Sequence, residues 1–143
     1  MLQEKIEQAR YELVRAEHSL FVTLKFVKSS EVFKIVLLRI ISSYQQLIEF
    51  LIENKNLEEP YIEEKLKSAY AEDIMIKQII EDYLYLKFLD LENAETVNEL
   101  TKRVALIVNF GDDTRFVIDI LVIKEYYQKA WDTINFIENY FGK

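Results

Sequence analysis

The stretch ELTKRVALIVNFGDDTRF, residues 99–116, decides how the second half of this chain is expected to fold. Its apolar run, residues 104–108, is soon followed by Gly111, and glycine is the residue that most often closes a helix in a left-handed conformation. Asp112 and Asp113 come next, and aspartate is a favoured N-cap of a following helix. The pattern therefore predicts that one helix ends here and another begins.

The bounds of these two helices follow from the apolar spacing on either side of the stretch. We predict one helix from about Asn93 to Asn109, and a closing helix that starts after the two aspartates and continues to Phe141. Gly142 is placed to end the closing helix.

Apolar residues recur at steps of three or four along the first part of the chain, as on the buried face of a helix. The first series is Leu2, Ile6, Ala9, Leu13, Ala16, Leu20, Leu24 and Val27, and the second is Phe33, Leu37, Ile40, Tyr44, Leu47 and Leu51. These series predict helices over about Leu2–Val27 and Glu31–Asn54, with Ser29 or Ser30 as the N-cap of the second. A third helix is predicted over about Pro60–Leu89, with a break near Ala71–Asp73.

Glycine and proline are scarce, with 2 and 1 in 143 residues. Tight β-turns depend on these residues, so a multi-stranded sheet is not expected. Half of the residues are hydrophobic and 30% are charged, which suits amphipathic helices around one core. We predict a single all-α domain over residues 1–143, built as an antiparallel up-and-down bundle of four to five helices.

The charge and the termini limit the partners and the compartment. A formal net charge of −7 disfavours nucleic acid as a partner, although a small local basic site stays open. The chain has no Cys, which fits a reducing cytoplasm, and its N-terminus, MLQEKIEQAR, is charged, unlike a signal peptide. The longest apolar run, residues 32–52, contains Lys34, Arg39 and Glu49, so it predicts a buried helix rather than a membrane span. We expect a cytoplasmic protein without membrane association.

Few residues suggest catalysis. The one histidine, His18, lies off the apolar series and is interpreted as a surface residue. The sequence lacks the Glu-x-x-His motif of di-iron bundles, a P-loop and a G-x-S-x-G motif. We therefore assign no catalytic residue, no metal ligand and no cofactor, and we favour a protein that is not an enzyme without excluding one.

Aromatic residues are abundant, with nine Tyr, nine Phe and one Trp. The segment DYLYLKFL, residues 82–89, is apolar on nearly every side of a helix, which is typical of a helix that is central or meets a second chain. Since aromatic residues are favoured at interfaces, we predict a homodimer. The candidate interface residues are Tyr83, Tyr85, Phe88, Tyr127 and Trp131, with Tyr126, Phe136 and Tyr140 beside them.

Three segments together resemble a known family. ELVRAEHSLFVTLKFVKSSEVFKIVLLRIISSYQQLIEFL, residues 12–51, contains two long helical patterns and a short turn, and VIKEYYQKAWDTINFIENYF, residues 122–141, is a closing helix. With residues 99–116 between them, they resemble the HEPN domain, the higher-eukaryote and prokaryote nucleotide-binding helical bundle. The middle segment resembles the one that holds that family's characteristic arginine and histidine.

The resemblance implies a dimeric helical bundle that cuts RNA without metal, often as a toxin paired with a nucleotidyltransferase. Active members of the family have an arginine and a histidine separated by a short spacer. In this chain five residues separate Arg103 from Asn109, which stands in place of the histidine. Because asparagine is no acid or base near neutral pH, the resemblance implies a degenerate member in which Arg103, Asn109 and Arg115 form a phosphate-binding or interface site.

Two classes of function remain open on these grounds. The first, which we favour, is a non-catalytic helical-bundle protein that acts through protein association, as a homodimer or with a partner such as a nucleotidyltransferase. The second is an active HEPN-like ribonuclease, or a nucleotide-binding toxin component of a toxin–antitoxin pair. A plainer explanation of NFGDD, residues 109–113, also stays open, because each of its residues suits a helix boundary.

Overall fold

Helices make up 71% of the protein in the computed structural model, which describes residues 1–23, 30–98, 103–110 and 114–142. In chain order the elements are α1 (Leu2–His18), a π-helical segment (Ser19–Thr23), α2 (Ser30–Asn54), α3 (Ile62–Ala69), α4 (Ile74–Lys87), β1 (Asp90–Val97), β2 (Ala105–Phe110), β3 (Thr114–Ile118) and α5 (Ile120–Phe141). The prediction of a mainly helical chain is confirmed. The prediction of an all-α fold is wrong, because a three-stranded antiparallel sheet precedes the last helix.

Helix α2 is the central element of the bundle, because α1, α4 and α5 all pack against it. Its predicted apolar series is buried throughout: Phe33, Leu37, Ile40, Tyr44, Leu47 and Leu51. Each leucine, isoleucine or phenylalanine buried in this way contributes about 1.5–3 kcal/mol. The predicted bounds Glu31–Asn54 agree with the observed Ser30–Asn54.

Helix α1 runs antiparallel to α2 and is joined to it by two ion pairs. Lys5 Nζ lies 2.7 Å from Glu49 Oε2, and Arg39 Nη1 lies 3.1 Å from Glu12 Oε2. Because the first pair joins the start of α1 to the end of α2, the two helices form the antiparallel hairpin that the sequence predicts.

The connection between α1 and α2 is described only in part. The α-helix ends at His18 and continues as the π-helical segment to Thr23. The predicted single helix to Val27 is therefore confirmed only as far as Thr23. Ser29 lies outside the described residues, and Ser30 is the first residue of α2 rather than its N-cap.

Helix α5 runs antiparallel to both α1 and α4. Arg10 Nη2 lies 2.6 Å from Glu138 Oε1, which joins α1 to the end of α5. The Tyr140 hydroxyl donates a hydrogen bond to the Asp73 carboxylate, which joins the end of α5 to the start of α4. The predicted up-and-down arrangement is therefore present among the long helices.

The predicted third helix is divided at its predicted break. Helix α3 begins at Ile62, slightly after the expected start, and ends at Ala69. Helix α4 begins at Ile74, where Asp73 Oδ1 accepts a hydrogen bond from the Ile76 amide at 3.2 Å. Asp73 is thus the N-cap that separates the two helices.

The predicted helix from Asn93 to Asn109 is wrong, because this part of the chain forms strands β1 and β2. The two strands pair antiparallel, with Val97 opposite Ala105, and β2 pairs with β3, with Phe110 opposite Thr114. Strand β2 is therefore the central strand of the sheet.

From Leu106 onward, burial alternates between the two faces of β2 and β3, as expected of a sheet with one face on a core. Leu106, Val108 and Ile118 are fully buried, whereas Val117 is 61% exposed. A short continuous apolar run such as residues 104–108 fits a helix and a strand equally well, so spacing alone does not separate them. Its β-branched residues favour the strand once a neighbouring strand supplies hydrogen bonds.

Residues other than glycine and proline contribute to the turns of this sheet. Asn98, which follows β1, has a φ of 54°, a conformation that asparagine adopts more readily than most residues. Residues 111–113 connect β2 to β3 and lie outside the described part of the chain, as do the helix-cap roles predicted for them. Helix α5 begins only at Ile120, where Asp119 Oδ1 accepts a hydrogen bond from the Val122 amide at 2.9 Å.

The sheet packs across the N-terminal end of α2. Ser30 of α2 and Thr96 of β1 are hydrogen-bonded through their hydroxyl groups. The ring of Phe116 in β3 meets that of Tyr85 in α4 edge to face, with centroids 5.8 Å apart. The sheet therefore closes the end of the bundle at which α4 ends and α5 begins.

Within the described ranges, α2 is the one helix long and apolar enough to cross a membrane by length and composition. Half of its most apolar window is buried inside the protein. Because the core helix of a water-soluble bundle has the same properties, this observation assigns no membrane location.

Two valine-to-alanine substitutions test the assigned faces of the sheet. Val108→Ala should lower the free energy of unfolding by about 2 kcal/mol, because it removes buried methyl groups and leaves a cavity. Val117→Ala should lower it by less than about 1 kcal/mol, since its side chain is largely in water. Urea denaturation followed by circular dichroism measures both losses, and equal losses would contradict the register.

Candidate functional site

Arg103 and Asn109, predicted as part of a phosphate or interface site, lie far apart. Arg103 precedes β2 and Asn109 lies near its far end, so roughly 20 Å of extended chain separates them. On a helix the same spacing covers only about 9 Å. The geometry that the resemblance implies, with both side chains facing one cleft, is therefore not formed by these two residues.

Asn109 and Arg115 are neighbours on the outer face of the sheet. They are directly opposed in the pairing of β2 with β3, and Arg115 Nη2 donates a hydrogen bond to Glu95 Oε2 at 2.8 Å. The two side chains of this ion pair are 55% and 66% exposed, so it contributes no more than about 1 kcal/mol. Since the guanidinium has a carboxylate partner, this arrangement does not by itself form a phosphate site.

The five residues predicted to form a dimer interface lie on different parts of the surface. Tyr83 is buried, and Phe88, at the end of α4, is 56% exposed. Tyr85 faces α5, and its hydroxyl lies 3.3 Å from the hydroxyl of a tyrosine on that helix. Tyr127 and Trp131 lie together on another side of α5, next to α1. The structure therefore brings together only these last two.

Tyr127 and Trp131 are half-buried and belong to a partly exposed aromatic surface where α1 meets α5. Its members, named here the α1–α5 surface, are Val14, Phe21, Leu121, Tyr127 and Trp131. The ring of Tyr127 meets those of Phe21 and Trp131 edge to face, with centroids 6.1 and 6.4 Å apart. Val14, Phe21 and Leu121 are 53, 46 and 65% exposed. Three rings in contact, with exposed aliphatic side chains on the same two helices, are typical of a contact site for another protein.

Charged side chains border this surface and contact its rings. The Tyr127 hydroxyl donates a hydrogen bond to Glu17 Oε2 at 2.8 Å, and Lys124 Nζ lies 5.7 Å from the ring centroid of Phe21. Burial, followed by the hydrogen bond to the Glu17 carboxylate, raises the pKa of Tyr127 to about 12. The α1–α5 surface therefore combines aromatic rings with both an ammonium and a carboxylate.

A groove runs between α4 and α5, because both helices pack on α2 but their backbones scarcely approach each other. Side chains bridge the groove at three levels: Asp73 to Tyr140, Asp82 to Lys129, and Tyr85 to Tyr126. The first level borders a hollow of about 660 Å³ that is wide open to solvent. Near the middle level lies a smaller space of about 180 Å³.

A better-defined cavity of about 290 Å³ lies between the Asp82 and Tyr85 levels. This tyrosine cavity is lined by Tyr44 from α2, by Asp82, Tyr85 and Leu86 from α4, and by Tyr126 and Lys129 from α5. Drug-sized ligands occupy pockets of about 300–1,000 Å³. The tyrosine cavity therefore suits a ligand at or below the small end of that range.

Two tyrosines of this cavity, Tyr44 and Tyr126, have raised pKa values. Burial raises the pKa of Tyr44 to about 12, against the effect of its hydrogen bond to Thr133, and the negative charge of Asp82 adds to the shift. The hydroxyls of Tyr85 and Tyr126 lie 3.3 Å apart. Burial, followed by this contact with Tyr85, also raises the pKa of Tyr126.

A carboxylate is the charged group in the interior of the tyrosine cavity. The Asp82 side chain is 15% exposed, whereas that of Lys129 is 54% exposed, and Oδ2 lies 3.1 Å from Nζ. Asp82 Oδ1 also accepts a hydrogen bond from Gln78 Nε2 at 2.9 Å. The carboxylate therefore lies inside, and its ammonium partner lies at the mouth.

No sequence pattern singles out the residues of the tyrosine cavity. Tyr44 occupies a core position of an apolar series, and Asp82 and Lys129 become neighbours only through the packing of α4 and α5. The nearest signal is the tyrosine-rich segment 82–89, which favoured a dimer interface. Among residues 1–23, 30–98, 103–110 and 114–142, no group of three or more His, Cys, Asp or Glu side chains is placed to hold a metal ion.

No family model, no curated protein and no solved structure matches the chain. The resemblance to the HEPN domain therefore stays a prediction. The function has to follow from the geometry of the α1–α5 surface and the tyrosine cavity.

Tyr44→Phe should change how the stability of the protein depends on alkaline pH. Tyr44 ionises near 10.0 in the unfolded chain but only at about 12 in the folded protein, so the folded state binds more protons between these values. The free energy of unfolding should therefore fall as the pH rises through this interval, and Tyr44 should account for on the order of 2 kcal/mol of the fall. The Phe variant should lose that part of the fall.

Urea denaturation at a series of pH values, from neutral to alkaline, measures this difference. Tyr61→Phe is the matched control, because Tyr61 is 70% exposed, and it should follow the wild-type profile. Parallel profiles for wild type and Tyr44→Phe would show that the Tyr44 hydroxyl does not titrate as stated.

Proposed function

We propose that this protein is a non-catalytic helical-bundle protein that acts through protein association, as a cytoplasmic homodimer formed through its α1–α5 surface. The observation that carries the proposal is the cluster of three contacting rings at that surface, together with the exposed side chains of Val14 and Leu121 on α1 and α5. The absence of Cys from the sequence supports the cytoplasmic part of the proposal.

The side chains of this surface are of the kind that dominate binding energy. Tryptophan and tyrosine are enriched among such residues, and Trp131 is the one tryptophan of the chain. The edge-to-face contacts of Tyr127 and its hydrogen bond to Glu17 already order these rings in the free chain. Little side-chain freedom is therefore lost when the surface is covered, which favours association.

The charges at the surface favour a second copy of the chain as the partner. With a net charge of −7, two copies repel each other wherever acidic faces meet. The α1–α5 surface instead has Lys124 beside Phe21 and Glu17 beside Tyr127. A two-fold axis through this surface brings the ammonium of one copy towards the carboxylate of the other, as a self-complementary interface requires.

The proposal that this protein is related to the HEPN domain rests on the resemblance of its sequence segments alone. The ribonuclease alternative has no supporting observation among the described residues, because Arg103 and Asn109 lie at opposite ends of β2 and Arg115 is paired with Glu95. A nucleotidyltransferase partner likewise rests on the resemblance.

Leu121→Glu should convert the dimer into a monomer. The substitution places a charge in an apolar contact, where burial without a partner is costly. Because Leu121 is 65% exposed in the single chain, the free energy of unfolding of the monomer should change by less than about 0.5 kcal/mol. Size-exclusion chromatography with light scattering should give twice the chain mass for wild type and the chain mass of 17.1 kDa for the variant.

Leu38→Glu is the matched control for this experiment. Leu38 is 55% exposed on α2, a helix that contributes no residue to the α1–α5 surface, so this variant should keep the wild-type mass. Wild-type protein with a mass of 17.1 kDa, or a dimeric Leu121→Glu variant, contradicts the proposal.

A further inference from the structure

The tyrosine cavity combines a carboxylate with an aromatic wall, and the proposed dimer uses neither. Asp82 lies inside the cavity, and three tyrosines and Leu86 supply most of its wall. We propose that the tyrosine cavity is a binding site for a small organic ammonium ion, which the Asp82 carboxylate and the tyrosine rings hold together.

The positions of the Asp82 and Lys129 charges favour a cation as the ligand of the cavity. The Asp82 side chain is 15% exposed and that of Lys129 is 54% exposed, so the charge that a ligand meets inside the cavity is negative. An anionic ligand would place a second negative charge beside a carboxylate that is screened little by water. A neutral ligand can offer the Asp82 carboxylate no more than a neutral hydrogen bond, whereas an ammonium ligand can replace Lys129 as its charge partner.

The aromatic wall adds a second attraction for a cation. The faces of tyrosine rings attract ammonium groups, and alkylated ammonium ions are bound in proteins by several such rings together. Tyr44, Tyr85 and Tyr126 come from three different helices and converge on this one space. The centroids of Tyr85 and Tyr126 lie 6.4 Å apart and their ring planes are inclined by 76°, so the two rings line the cavity in different orientations.

Lys129 already shows that the carboxylate accepts an ammonium group. Its Nζ lies 3.1 Å from Asp82 Oδ2 and reaches the carboxylate from the mouth of the cavity. A lysine ammonium on a flexible stem moves into water at little cost. Lys129 is therefore an internal competitor that a ligand displaces, and removing it should strengthen binding.

The size of the cavity restricts the ligand further. A volume of about 290 Å³ is smaller than most pockets for drug-sized ligands, which have about 300–1,000 Å³. The ligand class is therefore a small alkylammonium or methylated amine, and a nucleotide is too large to be enclosed.

Titration of the full chain with choline tests the proposal. Isothermal titration calorimetry compares choline with the uncharged alcohol in which carbon replaces its nitrogen, and with pivalate as an anion of similar shape. Choline should bind wild type with an affinity near the millimolar range, the alcohol at least about tenfold more weakly, and pivalate not detectably.

Substitutions in the cavity distinguish its two attractions. Asp82→Asn should weaken choline binding at least about tenfold, and Lys129→Met should strengthen it about threefold to tenfold. Tyr126→Phe keeps the ring and should retain binding, whereas Tyr126→Leu should lose most of it. Lys67→Met is the matched control for Lys129→Met, because Lys67 is exposed on α3, which contributes no residue to the cavity or to the α1–α5 surface, and it should bind like wild type.

Circular dichroism melting curves identify variants that fold, and only those enter the comparison; Tyr126→Phe and Lys129→Met keep the test decisive if Asp82→Asn does not fold. Equal binding of choline and its uncharged analogue overturns the proposal. So does the absence of choline binding to both wild type and Lys129→Met, or an equal affinity of Lys129→Met and Lys67→Met.

Discussion

The burial of α2 between α1, α4 and α5 is the interaction on which the rest of the structure depends. Its fully buried side chains, from Phe33 to Leu51, lie on a face too wide for one neighbouring helix to cover. Several helices must therefore pack around it, and the ion pairs of α1 with α2 set their relative direction. The sheet then covers the end of α2 at Ser30, where the long helices no longer cover it.

The same packing creates the tyrosine cavity. Helices α4 and α5 both pack against α2, and their backbones scarcely approach each other. The space left between them is lined and bridged by polar and aromatic side chains, such as Tyr85 and Tyr126. Tyrosine suits this position because it offers an apolar ring and a hydroxyl that needs a partner. The tyrosine cavity and the α1–α5 surface thus lie on different flanks of α5.

The correct predictions concern features whose physical causes lie within a few residues of each other in the chain. The first apolar series as far as Leu20, the apolar series of α2 and the break at Asp73 were predicted correctly, because periodicity and N-capping act within a few residues. Gly142 ends α5 as predicted, with its amide donating to the Glu138 carbonyl. The segment from Asn93 to Asn109 was mispredicted, because the charged residues in its first half are compatible with helical spacing. In the structure they belong to a strand whose pairing register is irregular. The tripeptide Gly-Asp-Asp between two apolar runs is also a hairpin signal, and the scarcity of glycine elsewhere led to the helical interpretation.

The sequence by itself determined the helical majority of the chain, the buried faces of its long helices and the positions of several helix ends, because these depend on neighbours three or four residues away. Only the tertiary structure decided that Ala105–Phe110 forms a central strand, since a strand is stable only when distant residues pair with it. It also decided that Arg103 and Asn109 lie far apart, that Tyr127 and Trp131 face α1, and that Asp82 meets Lys129. Those contacts join residues far apart in the chain, and the relative placement of whole helices that creates them is not encoded in any local pattern.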